Sequence, residues 1–256
     1  MENWESIVRK MELLLRLKTF PVAFKLLEDT KEIDGNKWVR RPTKRLTLCQ
    51  LITTVRTYDW TIGATAEDFL GPGCGRIIGL AEGSDYIKDG TLRSIVWCKT
   101  KEDAKKCEDQ IPRVPTGKYN AVIMGPLVYK PFDPDIVLIY GNPAQMIILI
   151  NALQFEDYAQ FQFFCVGESA CADSIARCYL NKKPSLAIPC YGERRYAHVQ
   201  DDELVMALPA SWMGKAIAGL EELYKRGVRY PISYYGAQVD PTAGFPPSYQ
   251  ALFDGE

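Results

Sequence analysis

The chain has 256 residues, a formal net charge of −1 and 47% hydrophobic residues. This composition is ordinary for a globular protein with a substantial core. The near-neutral charge argues against general binding to nucleic acid or to an acidic membrane surface, because both partners need a basic excess.

The sequence predicts a protein without a signal peptide or a membrane span. The first residues are acidic and polar, and the longest apolar run, residues 144–153, is too short to cross a bilayer and contains Gln145 and Asn151. We therefore expect a cytoplasmic location. In a reducing compartment, the eight cysteines are expected to be free, metal-bound or catalytic rather than disulfide-paired.

The first half of the chain alternates helical and extended patterns. Hydrophobic spacing predicts a helix at residues 4–17, a strand at 22–27 and a second helix at 49–58, with Thr47 as its N-cap. The glycine- and proline-rich residues 71–75 predict an irregular loop. A strand is predicted at residues 119–124.

The second half continues this alternation. Strands are predicted at residues 135–140, 161–166, 186–189 and 204–208, and helices at 143–154, 169–180 and 211–226. The pattern indicates a mixed α/β (α+β) fold forming one domain over residues 1–256. The tail at residues 234–256, rich in Gly, Pro and aromatic residues, is expected to wrap either the body or a second subunit, so a homo-oligomer stays open.

Residues 21–128 and 134–209 have features of a diverged internal duplication. Each begins with a strand that follows a proline, and Cys49-Gln50-Leu51-Ile52 resembles Ala144-Gln145-Met146-Ile147 at the start of the next helix. If the halves are related, equivalent loops would meet at a shared cleft. Cysteines that are distant in sequence would then come together.

Four cysteines lie at loop or helix-start positions beside small residues: Cys49, Cys74, Cys171 and Cys190. Their spacing lacks a C-x-x-C pair, and spacing alone favours buried cysteines without a ligand. Their surroundings favour ligation, because a helix start lowers a thiol pKa and flanking glycines let the backbone approach a ligand. Four thiolates with open backbone N–H groups predict an iron–sulfur cluster, most simply 4Fe-4S.

The other cysteines have less favourable surroundings. Cys98 and Cys107 lie in a charged region. Cys165 lies in a predicted strand and Cys178 in a predicted helix, and we expect these two in the core. Cys178 follows Cys171 by seven residues and would share its helical face. It is therefore the reserve ligand.

Two other kinds of function remain open. The basic run Arg40-Arg41-Pro42-Thr43-Lys44-Arg45 and the turn Gly141-Asn142-Pro143 could bind a small anion or a partner protein, although a solvated connection and a plain helix cap explain them as well. Cys190 could act as a nucleophile, with the single histidine, His198, eight residues away. That role requires a lowered thiol pKa.

An ordered set of short strings resembles the uncharacterised bacterial and archaeal family known as domain of unknown function 169 (DUF169), or ArCR. The resemblance runs from about residue 20 to residue 226. Its strings are Pro21-Val22-Ala23-Phe24-Lys25, Cys49-Gln50, Ile111-Pro112-Arg113-Val114, Pro134-Asp135-Ile136-Val137, Asn142-Pro143, Cys171-Ala172-Asp173, Tyr179-Leu180, Lys183-Pro184, Cys190-Tyr191-Gly192, Arg195-Tyr196-Ala197 and Asp202-Glu203-Leu204-Val205-Met206.

The resemblance implies four recurring cysteines, three of which match Cys49, Cys171 and Cys190. The fourth position holds Gly71 here, and a cysteine follows three residues later as Cys74. Either a glycine-rich loop delivers Cys74, or the site has three protein ligands. Three ligands would leave one iron open to substrate, whereas four would favour electron transfer.

The resemblance implies no established reaction. The sequence as a whole predicts a cytoplasmic iron–sulfur redox protein that carries out electron transfer or reductive chemistry in anaerobic metabolism. Its expected partner is a redox protein or a small anionic substrate.

Overall fold

The computed structural model describes residues 4–70, 72–129, 131–232 and 249, so most of the predicted tail lies outside the described residues. The strands are β1 Val22–Leu27, β2 Val39–Arg40, β3 Thr61–Thr65, β4 Ala121–Pro126, β5 Ile136–Gly141, β6 Ser185–Ala187 and β7 Leu204–Pro209. The α-helices are α1 Trp4–Leu15, α2 Leu48–Tyr58, α3 Pro72–Ile77, α4 Asp85–Lys88, α5 Thr91–Val96, α6 Lys101–Gln110, α7 Pro143–Leu153, α8 Arg177–Asn181, α9 Tyr191–Ala197 and α10 Met213–Lys225.

These strands form one mixed sheet in the order β2-β3-β4-β1-β5-β7-β6. Only β2 and β3 pair in parallel, and the other neighbours are antiparallel. Together with the helices, this sheet confirms the mixed α/β fold that the sequence predicts. Among the described residues, no helix is long and apolar enough to cross a membrane.

The sheet separates two hydrophobic cores, because successive side chains of a strand point to opposite faces. Phe24 belongs to the first core, which α2 covers, and its neighbour Ala23 belongs to the second core. Helices α1, α7 and α10 pack on the second core. This arrangement leaves the first face to α2, α3, α9 and the segment around Cys171.

The strongest periodic segments fold as predicted. Helices α1, α2, α7 and α10 and strands β1, β5 and β7 agree with the predictions to within about two residues. Both predicted caps are present: the side chains of Thr47 and Asn142 accept hydrogen bonds from the backbone N–H of Gln50 and Gln145. Each glutamine side chain accepts in return from the N-cap backbone, which completes a capping box.

Two predictions were wrong. Residues 71–75 are not wholly a loop, because α3 begins at Pro72 and includes Cys74. Proline and glycine are tolerated in the first turn of a helix, where the N–H groups have no partner within the helix. Residues 161–166 are irregular rather than a strand. Phe161 and Phe163 pack beside the second core, so their alternation reflects packing without strand pairing.

The predicted duplication stays unconfirmed. Counted outward from the centre of the sheet, the strand order β1-β4-β3 of the first half corresponds to β5-β7-β6 of the second. The helix after β1 in this scheme, α2, lies on the first core, whereas the helix after β5, α7, lies on the second. Antiparallel halves related by a twofold axis would place both helices on one face.

Candidate functional site

The four predicted cysteines line a single cavity of about 250 Å³ on the first face of the sheet. Cys49 lies in the first turn of α2, and Cys74 lies in α3. Cys171 directly precedes a π-helical turn, Ala172–Ala176, and Cys190 directly precedes α9. Segments separated by more than a hundred residues thus bring their thiols to one space.

The segments around these cysteines influence one another's thiols through backbone N–H groups. The backbone N–H of Leu48, next to Cys49, acts to lower the pKa of Cys74, against the larger effect of burial. The backbone N–H of Ala170, next to Cys171, acts on the pKa of Cys190 in the same direction. Proteins tune the reduction potential of iron–sulfur sites partly through N–H groups close to the sulfur atoms.

Cys49 has a further polar contact. Its sulfur lies 3.0 Å from the hydroxyl oxygen of Thr47, the N-cap of α2. The capping box orients Thr47, and Gln50 of the same box donates its side-chain amide to the backbone oxygen of Tyr196 in α9. The cap therefore fixes the start of α2 against the helix that follows Cys190.

Burial raises the pKa of all four thiols, to about 12 for Cys49 and well above the usual value for Cys171. The pKa values of Cys74 and Cys190 are also raised, and burial is again the main cause. Charge repulsion from neighbouring cavity thiols further raises the pKa of Cys171, Cys49 and Cys74. The expectation that the helix start lowers the pKa of Cys49 was wrong, because loss of hydration outweighs the helix dipole.

This result removes the basis for Cys190 as a free nucleophile. Its thiol pKa is raised rather than lowered. His198 is exposed at the end of α9 and lines a different cavity, which Cys190 does not line.

Cys178, the predicted reserve ligand, is fully buried in the first core and does not line the cysteine cavity. Its core position is confirmed. The π-helical turn between Cys171 and Cys178 accommodates one extra residue, which turns the later side chain by about 100° relative to a continuous α-helix. Cys165, also expected in the core, is exposed.

A buried carboxylate, Glu193, lies at the cysteine end of the cavity. It accepts a hydrogen bond from the backbone N–H of Cys190 at 3.2 Å and one from the Tyr140 hydroxyl at 3.4 Å. Burial raises the pKa of Glu193 to about 7. Behind it, Arg56 stacks on the Tyr140 ring and makes a two-bond ion pair with Glu203 at 2.7 and 3.0 Å.

A second buried ion cluster forms another part of the cavity wall. Arg76 and Arg93 each donate to Glu108 at 2.6 Å, and all three side chains line the cavity. Sequence reasoning missed this cluster, because residues 98–110 appear uniformly charged and therefore solvent-exposed. Only the arrangement of α3, α5 and α6 identifies Glu108 as a buried partner.

Aromatic side chains stand at the mouth of the cavity. Trp97 and Tyr196 line it, and the ring of Trp97 lies 5.8 Å from that of Tyr191. All three are about half exposed. The cavity therefore has a thiol-lined interior and an aromatic rim.

The described residues contain no group of three or more histidine, cysteine, aspartate or glutamate side chains close enough to hold a single metal ion. A 4Fe-4S cluster makes a different demand, because its four cysteines each bind a different iron. Its sulfur ligands therefore stand farther apart than those around one ion. Four thiols around one cavity, two of them beside backbone N–H groups that favour the thiolate, are chemically suited to such a cluster.

Several side chains of the alternative anion sites are engaged in intramolecular contacts. Arg41 of the basic run forms ion pairs with Asp34 at 3.0 Å and Asp68 at 2.7 Å. Arg40 stacks on Trp60. Asn142 caps α7 and also donates to the Tyr230 hydroxyl.

Comparison with known proteins agrees with the resemblance seen in the sequence. The model of the DUF169 family, described as uncharacterised ArCR, matches residues 10–219. Uncharacterized protein MJ0308 of Methanocaldococcus jannaschii is 30% identical over 226 residues, which cover 85% of this chain and 93% of that protein. No solved structure matches the chain. The chain belongs to the DUF169 (ArCR) family.

Proposed function

We propose that this protein is an iron–sulfur redox protein that holds a cluster, most simply 4Fe-4S, on Cys49, Cys74, Cys171 and Cys190. The observation that carries the proposal is the convergence of these four thiols on one cavity from remote parts of the chain. Cysteines that serve only as small hydrophobic side chains need no common space, and Cys178 packs in that way within the core.

The electrostatics support the same proposal. Thiols whose pKa is raised by burial are neutral near pH 7 unless a positive charge compensates their ionisation. Bound iron supplies that charge, because a metal deprotonates the thiols that coordinate it. Between them, the Leu48 and Ala170 N–H groups then stabilise two of the resulting thiolates.

Four protein ligands favour electron transfer over catalysis at an open iron. When bound, the cluster would accept and release single electrons, while this chain's residues would hold it and exclude water. All eight cysteines are free thiols, which supports a reducing, cytoplasmic location. We infer a role in anaerobic metabolism with a redox protein or a small anionic substrate as partner.

The test is anaerobic purification followed by reconstitution with iron and sulfide. Iron, acid-labile sulfide and visible absorbance are expected in the wild type. Cys49→Ser and Cys171→Ser should each lose most of the bound iron. Cys98→Ser is the matched control, because Cys98 is a half-buried free thiol that does not line the cavity.

A folded protein that stays iron-free after reconstitution would overturn the proposal. An equal loss of iron in Cys98→Ser would overturn the assignment of the ligands. Circular dichroism of each variant distinguishes a lost ligand from a lost fold.

A further inference from the structure

Two arginines that line the cysteine cavity are almost fully buried. Arg76 is 9% exposed and Arg93 is 7% exposed. Each donates one hydrogen bond of 2.6 Å to the same carboxylate, that of Glu108. A guanidinium has five N–H donors, and arginine is almost never fully buried unless its charge is paired. The two arginines therefore have more positive charge and more donors than Glu108 alone can satisfy.

A third arginine increases this excess of positive charge. Arg113 lies 3.6 Å from the Glu108 carboxylate and also donates to the backbone oxygen of Glu108. Burial and the charge of Arg76 lower the pKa of Arg113, although Glu108 and Asp109 act against them. Asp109 forms its own ion pair with Lys105 at 2.5 Å. Three guanidinium groups against one shared carboxylate leave this cluster with a net charge of +2.

Some donors of the two buried arginines are not used by the protein. In the described part of the chain, no hydrogen bond involves Nε or Nη2 of Arg76 or Nη1 of Arg93, whose Nη2 donates to the backbone oxygen of Glu168. These three atoms also differ from Nε of Arg113, which is sealed from solvent without a partner. The unused donors are therefore accessible, and both arginines line the cysteine cavity.

The other acids of the cavity adjoin Cys190. Glu193 accepts from the backbone N–H of Cys190, and Glu168 accepts from that of Tyr191. Neither carboxylate pairs with the two buried arginines among the described residues. Both acids raise the pKa of Cys190 through their charge. The negative charge of the cavity is thus concentrated beside this cysteine, and the positive excess lies in the arginine cluster.

The remaining wall near the arginines is apolar and selects the chemistry of a ligand. It consists of Ile77, Ile87, Leu92, Trp97 and Ile111. Guanidinium N–H groups bind a carboxylate through paired, charge-assisted hydrogen bonds. Binding sites of this kind combine an apolar lining with a few polar groups that fix orientation. A phosphate dianion is less suited, because it would be repelled more strongly by the acids of the same cavity.

We propose that the cysteine cavity binds a small carboxylate with a compact apolar body, held by Arg76 and Arg93. This names the small anionic substrate that the proposed function leaves open, and the inference rests on that function for the role of the ligand. Binding itself requires only the arginines and the apolar wall. It is therefore measured in iron-free protein.

The experiment is isothermal titration calorimetry with the full, iron-free chain under reducing conditions. The probes are isobutyrate, its neutral analogue isobutyramide, and inorganic phosphate. Isobutyrate should bind saturably, and isobutyramide should bind at least about tenfold more weakly, because it lacks the charge that the guanidinium groups recognise. Phosphate should also bind more weakly than isobutyrate. This comparison uses the wild type alone, so it does not depend on whether a variant folds.

Variants then locate the site. Arg93→Gln should weaken isobutyrate binding at least about tenfold. Glu108→Gln should tighten it, because the carboxylate that competes for the arginines is removed. Glu102→Gln is the matched control, since it makes the same change of charge at an exposed position of the same helix, and it should bind as the wild type does. Circular dichroism confirms that each variant is folded.

A wild type without saturable isobutyrate binding at millimolar concentrations would overturn the inference. Equal affinities for isobutyrate and isobutyramide, or tighter binding of phosphate, would overturn the ligand class, and a folded Arg93→Gln with wild-type affinity would overturn the site. Iron content after reconstitution is measured separately. A protein that binds isobutyrate but no iron refutes only the cluster, and one that binds iron but no isobutyrate refutes only this inference.

Discussion

Glu193 should make the iron-free protein lose stability as the pH rises through neutrality. Burial raises the pKa of this carboxyl from 4.5 to about 7, so the folded state binds its proton more tightly than the unfolded state does. The resulting stabilisation is fully present below about pH 4.5. It is lost as the pH rises through 7, because the folded protein must then hold a buried carboxylate.

The magnitude follows from the difference between the two pKa values. One pKa unit corresponds to about 1.4 kcal/mol, so the full effect is roughly 3 kcal/mol, of which about 2.5 kcal/mol falls between pH 5 and pH 8. Glu193 is only 4% exposed, so solvent screening is small. The carboxyls of Asp89 and Glu203 have lowered pKa values and act in the opposite direction, mainly below pH 4.5.

The assay is urea unfolding of iron-free protein at pH 5, 6, 7 and 8. Glu193→Gln keeps the shape and cannot ionise, so its free energy of unfolding should fall less than that of the wild type over this range. Glu102→Gln, at an exposed position of α6, should follow the wild type. Parallel curves for the wild type and Glu193→Gln would refute the reasoning.

Two further predictions concern stability. Arg56→Met should lower the free energy of unfolding by about 3–5 kcal/mol, because Glu203 stays buried without its partner. In urea unfolding, the double variant with Glu203→Gln should recover part of this loss. An Arg56→Met variant as stable as the wild type would contradict the burial argument. Gly219→Ala should cost about 2 kcal/mol or more, since its Cβ would lie 2.0 Å from the backbone oxygen of Ala152 in α7. Thermal melting should show the loss in Gly219→Ala and almost none in Gly214→Ala, where a Cβ meets no atom within 4 Å.

The sequence predicted those parts of the fold that depend on local signals. The capping residues Thr47 and Asn142 identified the starts of α2 and α7, because an N-cap satisfies a backbone donor within one turn. The strands β1, β5 and β7 are apolar over several residues and bounded by Gly or Pro. In these segments, propensity, periodicity and turn residues all agree.

The failures occurred where the outcome depends on distant contacts. The pattern of residues 161–166 matches a strand, but no neighbouring strand pairs with them in the described sheet. The buried role of Glu108 requires Arg76 and Arg93 from two other helices. No local pattern distinguishes such a glutamate from the exposed acids beside it.

The candidate site was predicted from the sequence only in part. The choice of Cys49, Cys74, Cys171 and Cys190 came from small neighbours and helix starts, and the same four thiols line one cavity. The relation of Cys178 to Cys171 was misjudged, because a π-helical turn is not visible in hydrophobic spacing. Whether the four thiols bind iron stays a prediction.

The position of Cys74 decides between a site of three protein ligands and one of four. The family pattern implies a cysteine where this chain has Gly71, which lies outside the described residues. Cys74 nevertheless lines the cavity, and the Leu48 N–H acts to lower the pKa of its thiol. Cys74 is the third residue of α3, which begins at Pro72. If the proposed cluster binds, Cys74 is in position to be its fourth ligand, and the prediction is then electron transfer rather than reaction at an iron left open to substrate.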